Sequence, residues 1–380
     1  MNRFVTIFFV FFLLIGPSAK SEEHSPGQRF RFFLHGVFSA AAEIEPATRL
    51  QKIRSLLHAN GDVLLMLADP GQRPNILTQG GLPGFAKQLG PIDEFLREIS
   101  VPSLQQWQKS SAPGRAKLIA RIPDGLLLTF LQSTNTLLQH FPVSKLPGLE
   151  IVLGDIQKID IPSLKPADRA FMAKAFLSYF DEVPTHIKRR MLIGWLSLHA
   201  NAPADRQLGV VLQNAGPALQ KFFQLLGKQA PSGALKEITA ELLSNVKPVP
   251  FAEVKMKIES EYGKPLEEIF KTINEETLGS ASVGQVYRAQ TISGQEVIVK
   301  VIKPGVPADM AAEIEVLKRI MRSNRPAAEL IDSVAANFLE ELDLRHEAAG
   351  MERGLVYEDA KLGIRVPRTS TELAPREHVM

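Results

Sequence analysis

The stretch L-G-S-A-S-V-G-Q-V-Y-R-A-Q-T-I-S-G-Q-E-V-I-V-K-V-I-K-P-G, from Leu278 to Gly305, decides how the C-terminal part of this chain folds. Its apolar residues are short or β-branched, and Ser293-Gly294 interrupts them midway. Such a run, broken by a small turn-forming pair, reads as two antiparallel strands joined by a tight turn. A second small-residue turn, Gly279-Ser280-Ala281-Ser282-Val283-Gly284, lies between strands just upstream. Two-residue alternation puts Ile298, Lys300 and Ile302 on one face of the later strand. The Lys300 ammonium is therefore expected among apolar neighbours and in need of a carboxylate.

Working outward, two helices are expected after the hairpin, about Ala308 to Arg322 and Ala327 to Gly354, then a short strand near Ile364 to Val366. The second helix offers Glu340, Glu341, Asp343 and Glu347. As one continuous helix it would put Asp343 and Glu347 on a shared face and turn Glu341 away from Asp343. Upstream, a helical stretch runs from Pro166 to Tyr262, with Ser232 placed to cap a helix carrying Leu235, Ile238, Leu242 and Leu243. From Phe30 to about Asp160 the pattern is also helical. Apolar runs such as Ile44 to Leu67 and Leu126 to Leu138 are separated by Gly/Pro-rich breaks at Asp69 to Pro91, Ser110 to Gly114 and Phe141 to Gly148. That region holds no motif with attachable chemistry.

Composition bounds the function. With 380 residues, 45% hydrophobic and 22% charged, the chain is an ordinary globular one. A net charge of +3, with Lys188-Arg189-Arg190 as the longest basic cluster, speaks against nucleic-acid binding. The absence of cysteine removes disulfides, thiolate metal sites and cysteine nucleophiles, and the eight histidines lack metal-site spacing, so no metal site is expected. At the N-terminus, Arg3, the apolar run Phe4 to Ile15, Gly16-Pro17 and the small residues to Ser21 read as a signal peptide over 1–21, cleaved before Glu22. The expected localisation is exported, with an N-terminal membrane anchor as the alternative. The remainder divides into a helical domain of unknown role, 22–210, and a C-terminal lobe, 211–380.

A small-residue turn lets backbone N–H groups approach phosphates, and a lysine on a following strand, here twenty-one positions after Gly279, can pair with them. The turn is neither a Walker loop, because G-K-[ST] is missing, nor the G-x-G-x-x-G of ordinary kinases. A nucleophile elbow at Ser282, and with it serine hydrolysis, fails by one position and by the strand that follows.

In order along the chain, these pieces resemble the UbiB/AarF family of atypical kinase-like proteins. Leu278 to Ala289 resembles the family's Ala/Ser-rich loop with its G-Q-V, Val297 to Gly305 its lysine strand, and E-L-D-L-R-H-E-A-A at Glu341 to Ala349 its E-x-D segment. G-P-A-L-Q-K-F-F-Q at Gly216 to Gln224 sits where the family has its K-x-G-Q helix, folded over the nucleotide pocket. The resemblance implies a mainly α fold with a small antiparallel β-sheet of protein-kinase N-lobe type near the C-terminus. It implies ATP as ligand, with Lys300 on the α/β-phosphates, Glu341 or Glu347 paired with it, and Ser280, Ala281 and Ser282 over the phosphates. Lys221 and Gln224 would reach down to Asp343. Two departures stand out. Phe223 replaces the K-x-G-Q glycine, which works against close approach of that helix. The chain stops at Met380, where the family's hinge begins, so the catalytic loop and metal aspartate are not in it and no catalytic residue is assigned. The implied function is an ATP-binding lobe whose family role is ATP-dependent support of isoprenoid-quinone (ubiquinone) biosynthesis, inactive as this chain alone. Its ATP binding would be weak or a relic, Mg²⁺ would bind only with a second lobe, and its partner would be a downstream C-lobe fragment or another protein. The alternative is an exported, pseudokinase-like helical binding module.

Overall fold

The computed structural model describes residues 24–380 apart from 100–105, 107–108, 160, 162–163, 230–235, 239 and 241–245. The signal-peptide reading and the cap at Ser232 lie outside the described residues. Among those described the protein is helical, with one four-stranded antiparallel sheet towards the C-terminus, as the fold reading expects.

The chain forms two compact units. The first comprises the residues up to Leu146 together with Lys188–Gln207, the second Pro147–Ile187 and Leu208–Met380. Residues 147–187, placed in the helical domain by the sequence pattern, thus pack with the C-terminal lobe.

In the first unit, α1 (Pro26–Ala42), α2 (Pro46–Ala68), α3 (Arg73–Gln79), α4 (Gly90–Ile99), α5 (Ala112–Ala120) and α6 (Asp124–His140) follow one another. The expected break at 69–91 holds α3 and a 3₁₀ turn, Pro83–Gln88. The run is too short and too rich in Gly and Pro for periodicity to show them. Phe30, Phe33, Leu34, Val37 and Phe38 of α1 form the middle of the core. Arg31 is buried among them without a carboxylate. Its Nε donates to Leu198 O at 2.9 Å, its Nη1 to Gly80 O at 3.3 Å and its Nη2 to Trp195 O, with the guanidinium 3.7 Å over the Trp195 ring. Burial lowers its pKa to about 10, still far above neutrality, so a charge is held by carbonyl dipoles and a ring face.

The second unit contains α7 (Leu149–Lys158), α8 (Pro166–Glu182), the start of α9 (Thr185–Leu196), most of α10 (Ala204–Gln213), α11 (Pro217–Gln229), α12 (Phe251–Tyr262) and a single turn, α13 (Leu266–Ile269). The sheet follows: β1 (Phe270–Ile273), β2 (Gly279–Ser280), β3 (Gly284–Thr291) and β4 (Glu296–Ile302). Then come α14 (Val306–Met321), α15 (Arg325–Glu340) and α16 (Leu344–Gly354).

Strand β3 is central. It pairs with β4 along its length, Val286 opposite Lys300, and on its other edge with β2 and β1 in tandem. The β3–β4 turn requires Gly294, whose φ of +98° is strained for any residue with a Cβ. Tyr287, Ala289, Val299 and Val301 alternate onto one face and are buried against Val254 and Ile258 of α12 and against Val379. Lys300 and Met380 exchange backbone hydrogen bonds at 2.7 and 2.9 Å, so the last residues line the outer edge of β4.

Two expectations fail here. The helix expected over Ala327–Gly354 breaks after Glu340, because Asp343 leaves helical geometry and its Oδ1 accepts from Arg345 N at 3.0 Å as the N-cap of α16. The strand expected at Ile364–Val366 does not form. Ile364 makes a single bridge to Asp359 across a loop, with no neighbouring strand edge to extend it.

Candidate functional site

The face of the sheet opposite that core, the β2–β3 turn, the end of α15, the start of α16 and one side of α11 enclose a cleft of about 800 Å³. All of these belong to the second unit. The volume lies in the range of small-molecule sites, about 300–1,000 Å³.

The turn is built from small residues for a reason of space. A Cβ on Gly284 would lie 3.0 Å from Val301 O, so a larger residue would push the start of β3 off β4 by a few tenths of an ångström. Ala281 N donates to Gly284 O at 2.8 Å, and the one proton of Thr277 Oγ1 is shared between Gly279 O at 2.7 Å and Val286 O at 2.9 Å, which pins both ends. Ser280, Ala281 and Ser282 all line the cleft. The hydroxyl of Ser280 is shielded from solvent and has no hydrogen-bond partner, an unusual cost for a buried polar group. Beneath, the buried side chain of Gln285 accepts from Val249 N at 2.6 Å and staples the segment before α12 to β3.

Lys300 extends from β4 into the cleft and forms an ion pair with Glu347 of α16. The apolar setting expected for it is corrected: Ile302 is buried, but Ile298 is 55% exposed and the Lys300 side chain 35% exposed, because this face borders the open cleft. A half-exposed pair contributes about 0–1 kcal/mol to stability, so it sets position more than it holds the fold.

Lys221 of α11 enters from the opposite side and pairs with Glu341, its ammonium 5.8 Å from the Phe338 ring centroid. Its pKa is lowered to about 8 by burial, and further by the nearby charges of Lys300 and Lys228. Of the two candidates, Glu347 holds the strand lysine and Glu341 the helix lysine.

Asp343 does not meet Lys221, which corrects the expected division. Its carboxylate caps α16 and accepts from Arg345 Nε at 2.8 Å and Nη2 at 2.6 Å. The Arg345 hydrogen bond holds its pKa down at about 2. Gln224 does not line the cleft. Phe223 is fully buried against Phe176, with ring centroids 5.8 Å apart, so the bulk feared at the K-x-G-Q glycine faces the core rather than the turn. Sequence reasoning missed Asn337 and His346 as lining residues, and it counted Glu340 only as a helix carboxylate. His346 lies 3.4 Å from Glu340 and 3.7 Å from Asp343, a proximity created by the break between α15 and α16.

Chemically, the cleft sets two ammonium groups and a small-residue turn around one space, with the carboxylates of Glu340, Glu341, Asp343 and Glu347 in the same lining. The two ammonium groups can receive anionic oxygens only in exchange for Glu341 and Glu347, which they hold here.

Comparison with known proteins agrees. Residues 241–380 match the ABC1 atypical kinase-like domain. The chain is 31% identical over 179 residues to "Probable protein kinase UbiB" of Sodalis glossinidius, covering 44% of this chain and 33% of that protein. It is 34% identical over 149 residues to the protein of the same name from Cellvibrio japonicus, covering 36% and 27%. To "Uncharacterized protein Rv0647c" of Mycobacterium tuberculosis it is 32% identical over 177 residues, covering 43% and 36%. The chain thus spans about a third of the length of these relatives. A solved structure, "The complex structure of Rv3197-erythromycin from Mycobacterium tuberculosis", aligns over 46% of each chain at 24% identity with a TM-score of 0.32. Residues 241–380, which carry Lys300, Glu347 and the Ser280–Ser282 turn of the cleft, are thus similar to ABC1 atypical kinase-like domains and to proteins named UbiB.

Proposed function

We propose that the second unit is the ATP-gripping lobe of a UbiB-type kinase, and that these 380 residues alone do not transfer a phosphoryl group. The observation that carries the reading is the placement of Lys300, held by Glu347 at the wall of the cleft beneath the Ser280–Ser282 turn. Bound ATP supplies a phosphoryl group activated for transfer. The residues here would hold its charge: Lys300 on the α/β-phosphates, backbone N–H groups of Ser280 to Ser282 on their oxygens, and Lys221 as a second cation. Lys221 and Lys300 both already hold carboxylates, and a polyanion competes with Glu341 and Glu347 for them.

Transfer needs more than a grip. In kinases the metal is held by an aspartate and an asparagine beside a catalytic aspartate in a second lobe. Among the described residues no group of three His, Asp or Glu side chains is arranged to hold a metal ion. Mg²⁺ would therefore require residues from a second lobe, which is the partner this reading calls for. Support of isoprenoid-quinone biosynthesis follows from the resemblance to the family and enters as the cellular role of the assembled protein.

A single-turnover assay with radiolabelled Mg·ATP tests the reading. The purified chain is expected to give no transfer above the Lys300→Ala background. Transfer by the chain alone, abolished in Lys300→Ala, would overturn it.

A further inference from the structure

Helix α14 carries a carboxylate on its apolar face. Met310, Glu313, Ile314, Leu317 and Met321 recur at three- and four-residue spacing and all are buried, Glu313 with no exposure at all. Glu313 Oε2 accepts from Ala218 N at 2.9 Å, and Tyr179 Oη of α8 donates to Oε1. Ala218 and Leu219 belong to the first turn of α11, whose N–H groups have no acceptor within the helix, and Pro217 before them has no N–H to satisfy. Glu313 therefore does from a neighbouring helix what an N-cap side chain does locally. Gly216 makes room for it, because a Cβ there would lie 2.1 to 2.4 Å from the carboxylate atoms.

One turn further along α11 is Lys221, paired with Glu341 in the cleft. Gln220 of α11 donates to Leu212 O, Gln213 O and Ala215 O at 3.3, 2.9 and 3.1 Å, which ties the helix to the segment before it, whereas against α8 its rings Phe222 and Phe223 pack on Phe176 at 4.8 and 5.8 Å. Apolar contact is non-directional and tolerates a helix that rotates or slides. A carboxylate that accepts from a first-turn backbone N–H does not. We propose that Glu313 is a positioning residue of the cleft: its cap fixes α11 on α14 so that the Lys221 ammonium reaches Glu341. Burial drives the Glu313 carboxyl up to about 7, and its hydrogen bonds from Tyr179 and Ala218 and the α11 dipole act against that rise. A bare carboxylate at such a cost is what one expects of a group retained for direction rather than for stability.

The proposal deepens the nucleotide-lobe reading, but its test needs no nucleotide. Lys221 and Lys300 in the full chain are acetylated with an amine-reactive ester at pH 8, and their rates are compared by mass spectrometry. Losing a cap is worth about 1 kcal/mol, so Glu313→Ala and Gly216→Ala are each expected to raise the Lys221 rate relative to Lys300 by about fivefold. Tyr179→Phe leaves the Ala218 N–H capped, and Phe223→Leu loosens the core without touching the cap, so both should leave the ratio near that of the unmodified protein. An unchanged ratio in folded Gly216→Ala, or an equal rise in Phe223→Leu, would overturn the proposal. If Glu313→Ala does not fold, Gly216→Ala decides. Failure of the chain to bind ATP, with the labelling pattern as expected, would remove the nucleotide reading and leave the positioning role standing.

Discussion

Lys300, Lys221 and Glu313 show how much a side chain's role depends on what surrounds it. Lys300 was legible from sequence as a strand lysine paired with a carboxylate of the following helices, which Glu347 supplies, although its flank at Ile298 is open rather than apolar and buried. Which glutamate serves which lysine was not legible, because the answer rests on the approach of α11 to α15, across 120 residues of chain. Glu313 was missed altogether, although a charge in the stripe Met310, Ile314, Leu317 and Met321 was a signal available in the sequence. Its titration gives a prediction. The folded pKa, about 7, lies above the ordinary 4.5, so between these values the native state binds more protons than the unfolded chain. This group's contribution to stability is therefore full below about pH 4.5, falls as pH rises to about 7 and is level above. Glu313→Gln should flatten that part of the profile. Urea midpoints between pH 5 and 8 measure it, and parallel profiles for the two proteins would contradict the assignment.

At the scale of elements, the hairpin was legible because strand alternation and a glycine turn are local signals, and Gly294 sits where the turn needs positive φ. The split between α15 and α16 was not, because Phe338, Leu342 and Leu344 continue an apolar pattern through it. Asp343 was read as a site carboxylate when its position, just ahead of a new helix, marked an N-cap. That cap aims the first turn of α16, which carries Glu347 towards Lys300. Asp343→Ala is expected to destabilise the lobe by about 1 kcal/mol and to shift hydrogen exchange of the α16 amides more than that of β3. Uniform loss of protection across both elements would argue against a local capping role.

On the scale of the whole molecule, every residue lining the cleft belongs to the second unit, and the match to the ABC1 domain falls within the same unit. The first unit has a core of its own around α1 and the buried Arg31. Its sequence gave helix positions but no chemistry, since Leu and Phe stripes report packing alone. No described helix is long and apolar enough to cross a membrane. The central claim is that the cleft of the second unit is a nucleotide grip centred on Lys300. Titration of the full chain with Mg·ATP, followed calorimetrically, tests it most directly. A one-sided grip predicts saturable binding of about millimolar affinity, weakened about tenfold or more by Lys300→Ala as a charge-assisted contact is lost. No saturable binding, or equal binding by Lys300→Ala, would contradict the account.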